Sequence, residues 1–546
     1  MRSRIVLALM LVAAHAEMAN ADDFSPSGDD SLDMEQIEAS GALIGTITIR
    51  TDPIFDPSKP GEDRLLFKLA DRLHIDTREE ALRAQLLFAP GDRFSRRVIV
   101  ETERKLRKLV FIREPRIRPV RFADGRVDLE VSAREVWTTS PGLSFGREGG
   151  ANSTSVHLED LNLFGTGKQL TLKYGDDVDR SSYVLRWVDP NVRGSRWRSH
   201  VELIRSDDGD GYGLGIERPF VSLDARWSAG VRVEHAKGQD WRYLLGEPTE
   251  VYGRDRDELD AYFGASSGLH NGRTHRLTAG VRYDVTRFSR VVGDARAAEV
   301  LPQDRALVYP YLRLESIEDD FATVHNQDQL ARTEDVCFGT RLALEIGRAA
   351  PAFGADRTAT ILRFELSRGV RLEDDASLFL SASLAGRFES LSPRDALLET
   401  AARYYRRTSP RTTLYAAVQA DFGHALDADH ELVLGGEEGL RGFPLRYQSG
   451  SSRAVFTLEE RFYTDWSIWR IAHVGAAVFA DVGRAWGDST LDVPDQGMLS
   501  DVGVGLRLGN SRSARANVLH LDVALPLGAH IGAGGLQFLV QTRRSF

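Results

Sequence analysis

The 546-residue sequence predicts a transmembrane antiparallel β-barrel carried behind a small α+β module. Three observations point there. After a short N-terminal leader, no apolar run approaches the ~20 residues that a membrane-spanning helix requires. From residue 136 onward, apolar and polar residues alternate with period two in runs bounded by Gly, Asp, Asn and Ser, as strands with one apolar face do. Residues 44–135 break that pattern with two helical stripes between strands.

The elements follow in chain order. Arg2 and Arg4 precede an apolar run from Ile5 to Ala14 and then Ala19-Asn20-Ala21. This is the pattern of a secretory signal peptide, residues 1–21, cleaved after Ala21. An exported chain without a spanning helix is either a soluble secreted protein or a barrel. Removing the leader takes the charged residues from 70 basic and 80 acidic to 68 and 79, a balance of −11. Such a chain has no electrostatic case for binding nucleic acid. Its one cysteine, Cys337, excludes an internal disulfide and a cysteine zinc site. Hydrophobic content is an ordinary 42 %, and its dispersal in alternation is how a membrane barrel hides from hydropathy scales.

Residues 22–43 are acidic and poor in large apolar side chains, which reads as a linker. In 44–135, Ile44 to Arg50 alternate as a strand, with Ile44, Thr46 and Thr48 opposite Gly45, Ile47 and Ile49. Leu65, Leu66, Leu69, Ala70 and Leu73 form a helical stripe. A second helix runs from about Arg97 to Phe111, with Ser95 as its N-cap. Two strands, Arg116–Phe122 and Arg126–Glu135, meet through Asp124-Gly125, a hairpin signal.

Residues 136–546 form the barrel. Val474, Ala476, Val478, Ala480 and Val482 share one strand face, and Gly475, Ala477, Phe479, Asp481 and Gly483 share the other. An apolar outer face with a lone carboxylate inside suits a membrane barrel. A carboxylate in a confined, wet lumen calls for a cationic partner. Arg441, in the Gly-rich stretch Gly435–Phe443, is the candidate. Glu459 and Arg461 have the same inward parity on the neighbouring strand and extend the network, while Glu460 points to lipid with no evident role. Connections divide into short (Gly509–Arg515) and long (Glu318–Glu334, Arg484–Met498), and in membrane barrels the long ones lie outside. The candidate strands number eighteen or nineteen, with those between Leu259 and Arg290 open to being external hairpins.

Four motifs in order resemble the BamA/TamA-like superfamily of outer-membrane assembly and secretion barrels: Asn162-Leu163-Phe164-Gly165-Thr166-Gly167, Asp189-Pro190-Asn191, Leu440-Arg441-Gly442-Phe443 and Phe479-Ala480-Asp481-Val482-Gly483. The order strand, helix, helix, strand, strand in 44–135 likewise resembles a polypeptide-transport-associated (POTRA) domain, including the Ala89-Pro90-Gly91-Asp92 turn and the closing Glu135. The resemblance implies about 16 strands and an in-folded loop tethered by Arg441 to Asp481. It implies a Gram-negative outer-membrane location with the POTRA domain in the periplasm. It also implies unfolded outer-membrane or secreted polypeptides as clients, outer-membrane lipids as surroundings, and a periplasmic or inner-membrane partner docking on the POTRA domain. The terminal Phe546 then serves as the signal for barrel assembly, or as an interfacial anchor.

The chemistry of an enzyme has little support. Gly264-Ala265-Ser266-Ser267-Gly268 fits a nucleophile-elbow pattern but lies in an alternating run, whereas the motif needs a strand–turn–helix. The thirteen histidines show no metal-ligand spacing, His270 and His275 read as loop residues, and no cofactor is expected. Two functions remain: a protein-handling barrel whose POTRA domain captures clients that the barrel inserts or exports, and a passive channel or anchor whose POTRA domain docks partners. Counting strands back from Phe546 puts Gly435–Gly450 on the extracellular side.

Overall fold

A computed structural model describes residues 33–54, 74–330, 332–468, 472–492, 494–510, 514–515 and 517–543. The leader with Ala21, the stripe from Leu65 to Leu73 and Phe546 lie outside the described residues. The module begins earlier than the sequence suggests. Residues 34–39 form helix α1 (Met34–Ala39), capped by the Asp33 carboxylate, with Ile37 buried. The acidic composition conceals this apolar anchor, which Met34 and Ala42 join in the core, so the stretch read as linker is partly ordered.

Strand β1 (Leu43–Asp52) is followed by helices α2 (Glu79–Arg83) and α3 (Arg96–Arg107) and by strands β2 (Ile112–Ala123) and β3 (Arg126–Glu135). The sheet order is β1-β3-β2, with β1 parallel to β3 and β2 antiparallel to it. Asp124 and Gly125 both take positive φ, 53° and 69°, the requirement of a type I′ turn. Along β3, Val127, Leu129, Val131 and Ala133 turn to the core, where Ile99 and Leu106 of α3 meet them. A register shift between Ile44 and Ile47 turns both of them inward, so strict alternation fails in β1. Ser95 occupies the N-cap of α3, but its side chain makes no capping hydrogen bond.

Behind the module, twenty strands among the described residues close an antiparallel barrel, from Thr139–Glu148 to Gln537–Arg543. Its outer surface carries exposed Leu143, Phe145, Leu172, Leu203, Val504 and Phe538, a lipid-facing type of surface. The expected count of about 16 is therefore corrected to twenty. The residues between Leu259 and Arg290 belong to wall strands Glu247–His270 and Arg273–Arg290, which also places His270 and His275 in strands. A bilayer needs about 9–11 residues of tilted strand. The 24 residues of Glu247–His270 therefore project well beyond it. Their outer half carries the unbroken charged run Arg254–Glu258, which masks the strand from a pattern search.

Because strands alternate in direction, the start of Thr139–Glu148 marks a module-side mouth and every connection can be assigned to that mouth or to the far one. The connections 425–451 and 487–498 lie at the far mouth. The long connection at Glu318–Glu334 does not: it opens on the module side, as does the connection that follows strand Leu499–Asn510. Length alone misassigns it, since loop length is a tendency and strand parity is a constraint.

Candidate functional site

The site is built by the far-mouth loop between strands Thr412–His424 and Ser452–Ile468. This loop turns into the lumen. Its short strands Leu432–Leu434 and Gln448–Gly450 pair at the neck. Between them Leu434, Leu440, Phe443 and Tyr447 are fully buried, packing on Val455, Ala485 and Leu499 of the wall and on Ala533 of the last hairpin. Backbone hydrogen bonds from Leu440 N–H to Gly435 and from Phe443 N–H to Leu440 wind the tip tightly. At Gly442 a Cβ would stand 2.6 Å from Asp501 Cβ and 3.0 Å from Pro526 N. Only glycine allows that approach, and it lets Gly442 N–H donate to Asp501 Oδ2 at 3.0 Å.

Arg441 is thereby aimed at the wall. Its Nε and Nη2 donate to the two oxygens of Asp481 at 2.7 and 3.0 Å. Its Nη1 donates to Glu459 Oε2 at 3.0 Å. The guanidinium lies 3.3 Å from the ring centroid of Phe479, combining a bidentate carboxylate fork with a cation–π contact. Arg461 Nε donates to Glu459 Oε1 at 3.1 Å. Gly483 lies on the same inward face, where a Cβ would meet Ala454 O at 2.9 Å. The sequence motifs thus converge on one place. Glu460 instead accepts a hydrogen bond from the Thr408 hydroxyl at 2.9 Å.

Three further members lie outside the sequence motifs: Asp501, Asp522 and Arg507. Arg507 pairs with Asp522, whose other oxygen is 3.9 Å from Arg441. All three occupy the inward parity of their strands, so the signal existed; what the sequence could not show is that two adjacent strands, Leu499–Asn510 and Val518–Leu527, bring them beside the Arg441 loop. A pair in contact with lumen water was also the expectation, and the structure corrects that for these side chains. Asp481 is 0 % exposed, Glu459 4 % and Arg441 6 %, and Leu440 and Phe443, which flank the Arg441-Gly442 tip, are buried as well. Nearby in the loop, burial pushes the Glu438 carboxyl up to about 7, with Glu437 adding to the effect.

The loop also reaches the junction between first and last strands. A Cβ on Gly149, in the first far-side turn, would lie 2.3 Å from Leu445 N, and Arg446 forms a bidentate pair with Asp179 at 2.7 Å. At the junction itself, Val540 opposite Arg147 is the single registered pair among the described residues. The last strand makes seven such pairs with its other neighbour. Gln541 and Arg543 add side-chain contacts to Glu148. Among the described residues this seam is the weakest interstrand contact of the wall.

At the module side, Asn162 turns the first motif into a clasp. Its amide donates to Thr77 Oγ1 at 2.8 Å and accepts from Gly167 N–H at 2.7 Å. Gly165 O accepts from Arg78 N–H, and Thr77 N–H donates to the buried Glu135. Asn191 of the second motif pairs with Gln85. Ser266 lies in strand Glu247–His270 and donates to the His275 carbonyl. Among the described residues, two sets, His74/Asp76/Glu135 and His235/Asp255/Asp257, bring their ligand atoms close enough to hold a cation; in the first, His74 is already paired with Glu135.

No protein-family model and no curated protein matches the chain. Among solved structures, the fold is similar to BamA from Haemophilus ducreyi lacking POTRA domains 1–3 (14 % identity, 91 % of this chain and 84 % of that one, TM-score 0.39). It is also similar to CdiB from Escherichia coli (14 % identity, 92 % and 76 %, TM-score 0.48) and to CdiB from Acinetobacter baumannii (11 % identity, 92 % and 73 %, TM-score 0.43).

Proposed function

We propose that this chain is an outer-membrane barrel that inserts or exports polypeptides, with the module as a periplasmic POTRA-type capture domain. The observation that carries the reading is a loop buried in the lumen by a sealed ion-pair network and packed beside a seam of one registered pair. A passive pore gains nothing from either feature. A barrel that must part its wall or clear its lumen needs a weak junction and a loop held in a defined position next to it. On this reading an edge of the β1-β3-β2 sheet takes up client strands by backbone pairing, and Arg441, Asp481 and Glu459 hold the loop.

The alternative is a channel or anchor whose module docks partners. Reconstitution of the full chain into liposomes, scored for folding of an unfolded barrel client, separates the two. Acceleration of client folding is expected, and a steady open-pore current without acceleration would favour the channel. Facing residues in antiparallel strands lie about 4.5–5.5 Å apart, within disulfide range. Arg147→Cys with Val540→Cys, in a Cys337→Ser background, should therefore lock the seam. Insertion should stop on oxidation and return on reduction; full activity of the oxidised barrel would exclude the seam as the route. Orientation is checked by a cysteine at Pro494, expected to react with an impermeant maleimide on intact cells, against one at Asn271, expected to be protected. The reverse pattern would turn the barrel over.

A further inference from the structure

The connection 319–340 is the least expected part of the barrel. It forms its own hairpin, Phe321–His325 paired with Thr333–Cys337, and it does not hang free at the module-side mouth. Its tip enters the lumen. Leu330 is buried with Tyr463, Ala477 and Val518 of the wall, and so close to the wall that a Cβ on Gly509 would stand 2.6 Å from its own Cβ. Asp328 accepts from the Tyr405 hydroxyl at 2.7 Å, and Gln327 O accepts from Arg461 at 3.0 Å. The tip keeps its shape by itself, because Glu334 accepts backbone N–H bonds from Gln327, Asp328 and Gln329.

The outer end of the hairpin is held by the module. Arg107 of α3 makes a bidentate pair with Asp335 at 2.7 Å on both oxygens. One turn earlier, Arg104 stacks 3.6 Å over the Phe321 ring and lies 3.6 Å from Asp319. Arg461 thus touches the hairpin with one nitrogen and, through Glu459, the carboxylate that also holds Arg441. On its opposite flank the hairpin borders a cavity of about 520 Å³, lined by Arg107, Glu334, Asp335 and the wall residues Gln169, Thr171 and Arg186. It is therefore packed against the wall at its tip and borders open volume on the other flank.

We infer that the hairpin Phe321–Cys337 is a plug for the module-side mouth, latched by α3, so that movement of the module releases it. The loop at the far mouth and this hairpin close the lumen in series, and they meet at Glu459 and Arg461. The inference stands on geometry whichever route clients take. It is tested by ion current, which needs no client, so its failure and the failure of the functional reading are distinguishable.

Ile317 and Arg341 face each other at the base of the hairpin, so residues 318–340 can be replaced by a two-residue Asn-Gly turn. Potassium chloride current through the purified full chain in planar bilayers is compared with and without the hairpin, in the parent and with 435–450 also removed. Loss of the hairpin should raise the current several-fold once the far mouth is open; no change in either background overturns the plug. Should the shortened chain fail to assemble, Leu330→Asp, which expels the tip from its apolar seat, is measured the same way, and an unchanged current overturns the plug equally. For the latch, Arg107→Asp and Asp335→Arg should each increase opening, and the double exchange should restore closure. Failure of the exchange to restore it would show that the module does not hold the plug.

Discussion

Arg441→Ala is expected to abolish client insertion while the barrel still assembles. The side chain satisfies Asp481 and Glu459 together; its removal strips buried Asp481 of its bidentate partner and leaves Glu459 to Arg461. Orphaning a buried charge costs on the order of 3–5 kcal/mol, which exceeds what a few loop contacts hold. The wall keeps its strand ladder, so the loss falls on the loop, which swings out and admits water to the carboxylates. Asp481→Ala should have nearly the same effect. The double variant should be little worse than either single, because the first change has already released the loop. The measurements are client insertion in liposomes, heat-modifiable migration as the check on assembly, and protease cleavage within 435–450 as the readout of release. Additive losses in the cycle would show that the two residues act separately. Arg441→Lys should recover little, since an ammonium cannot span both oxygens of Asp481 and reach Glu459.

The second large effect is expected at the clasp between module and barrel. Gly165 has φ +72°, and a Cβ there would stand 2.2 Å from Asp76 O. Gly165→Val combines a left-handed backbone with a β-branched side chain and a direct clash, and conformational strain of this kind costs about 1–3 kcal/mol before the clash is counted. Asn162→Ala is milder: it unpairs buried Thr77 Oγ1 and Gly167 N–H at roughly 1–3 kcal/mol for each unsatisfied group. Both should free the module from the barrel without unfolding either part. Limited proteolysis in residues 74–78 should become rapid in Gly165→Val and moderately faster in Asn162→Ala, with barrel migration unchanged. Cleavage at the parental rate in both variants would mean that the motif does not fix the module.

Period-two alternation, with the short apolar leader, was enough to establish the large antiparallel barrel, because a strand facing lipid on one side and the lumen on the other must alternate. The same parity was enough to point Asp481, Glu459 and Arg461 inward, and Asp501, Arg507 and Asp522 with them. The Asp124-Gly125 turn and the buried face of α3 were legible for a similar reason: each is fixed by residues adjacent in the chain. What alternation cannot carry is closure. Twenty strands in place of about 16 depends on strands such as Glu247–His270, whose outer half stands beyond the bilayer and is free of its pattern. Nor does parity report water. Asp481 and Glu459 are buried together with Arg441 of a loop distant in sequence, and burial is a property of what packs above a side chain. The hairpin Phe321–Cys337 belongs to the same class. Its length suggested an outer loop, and only the assembled strand order puts it at the module-side mouth, between Arg107 of the module and Arg461 of the wall.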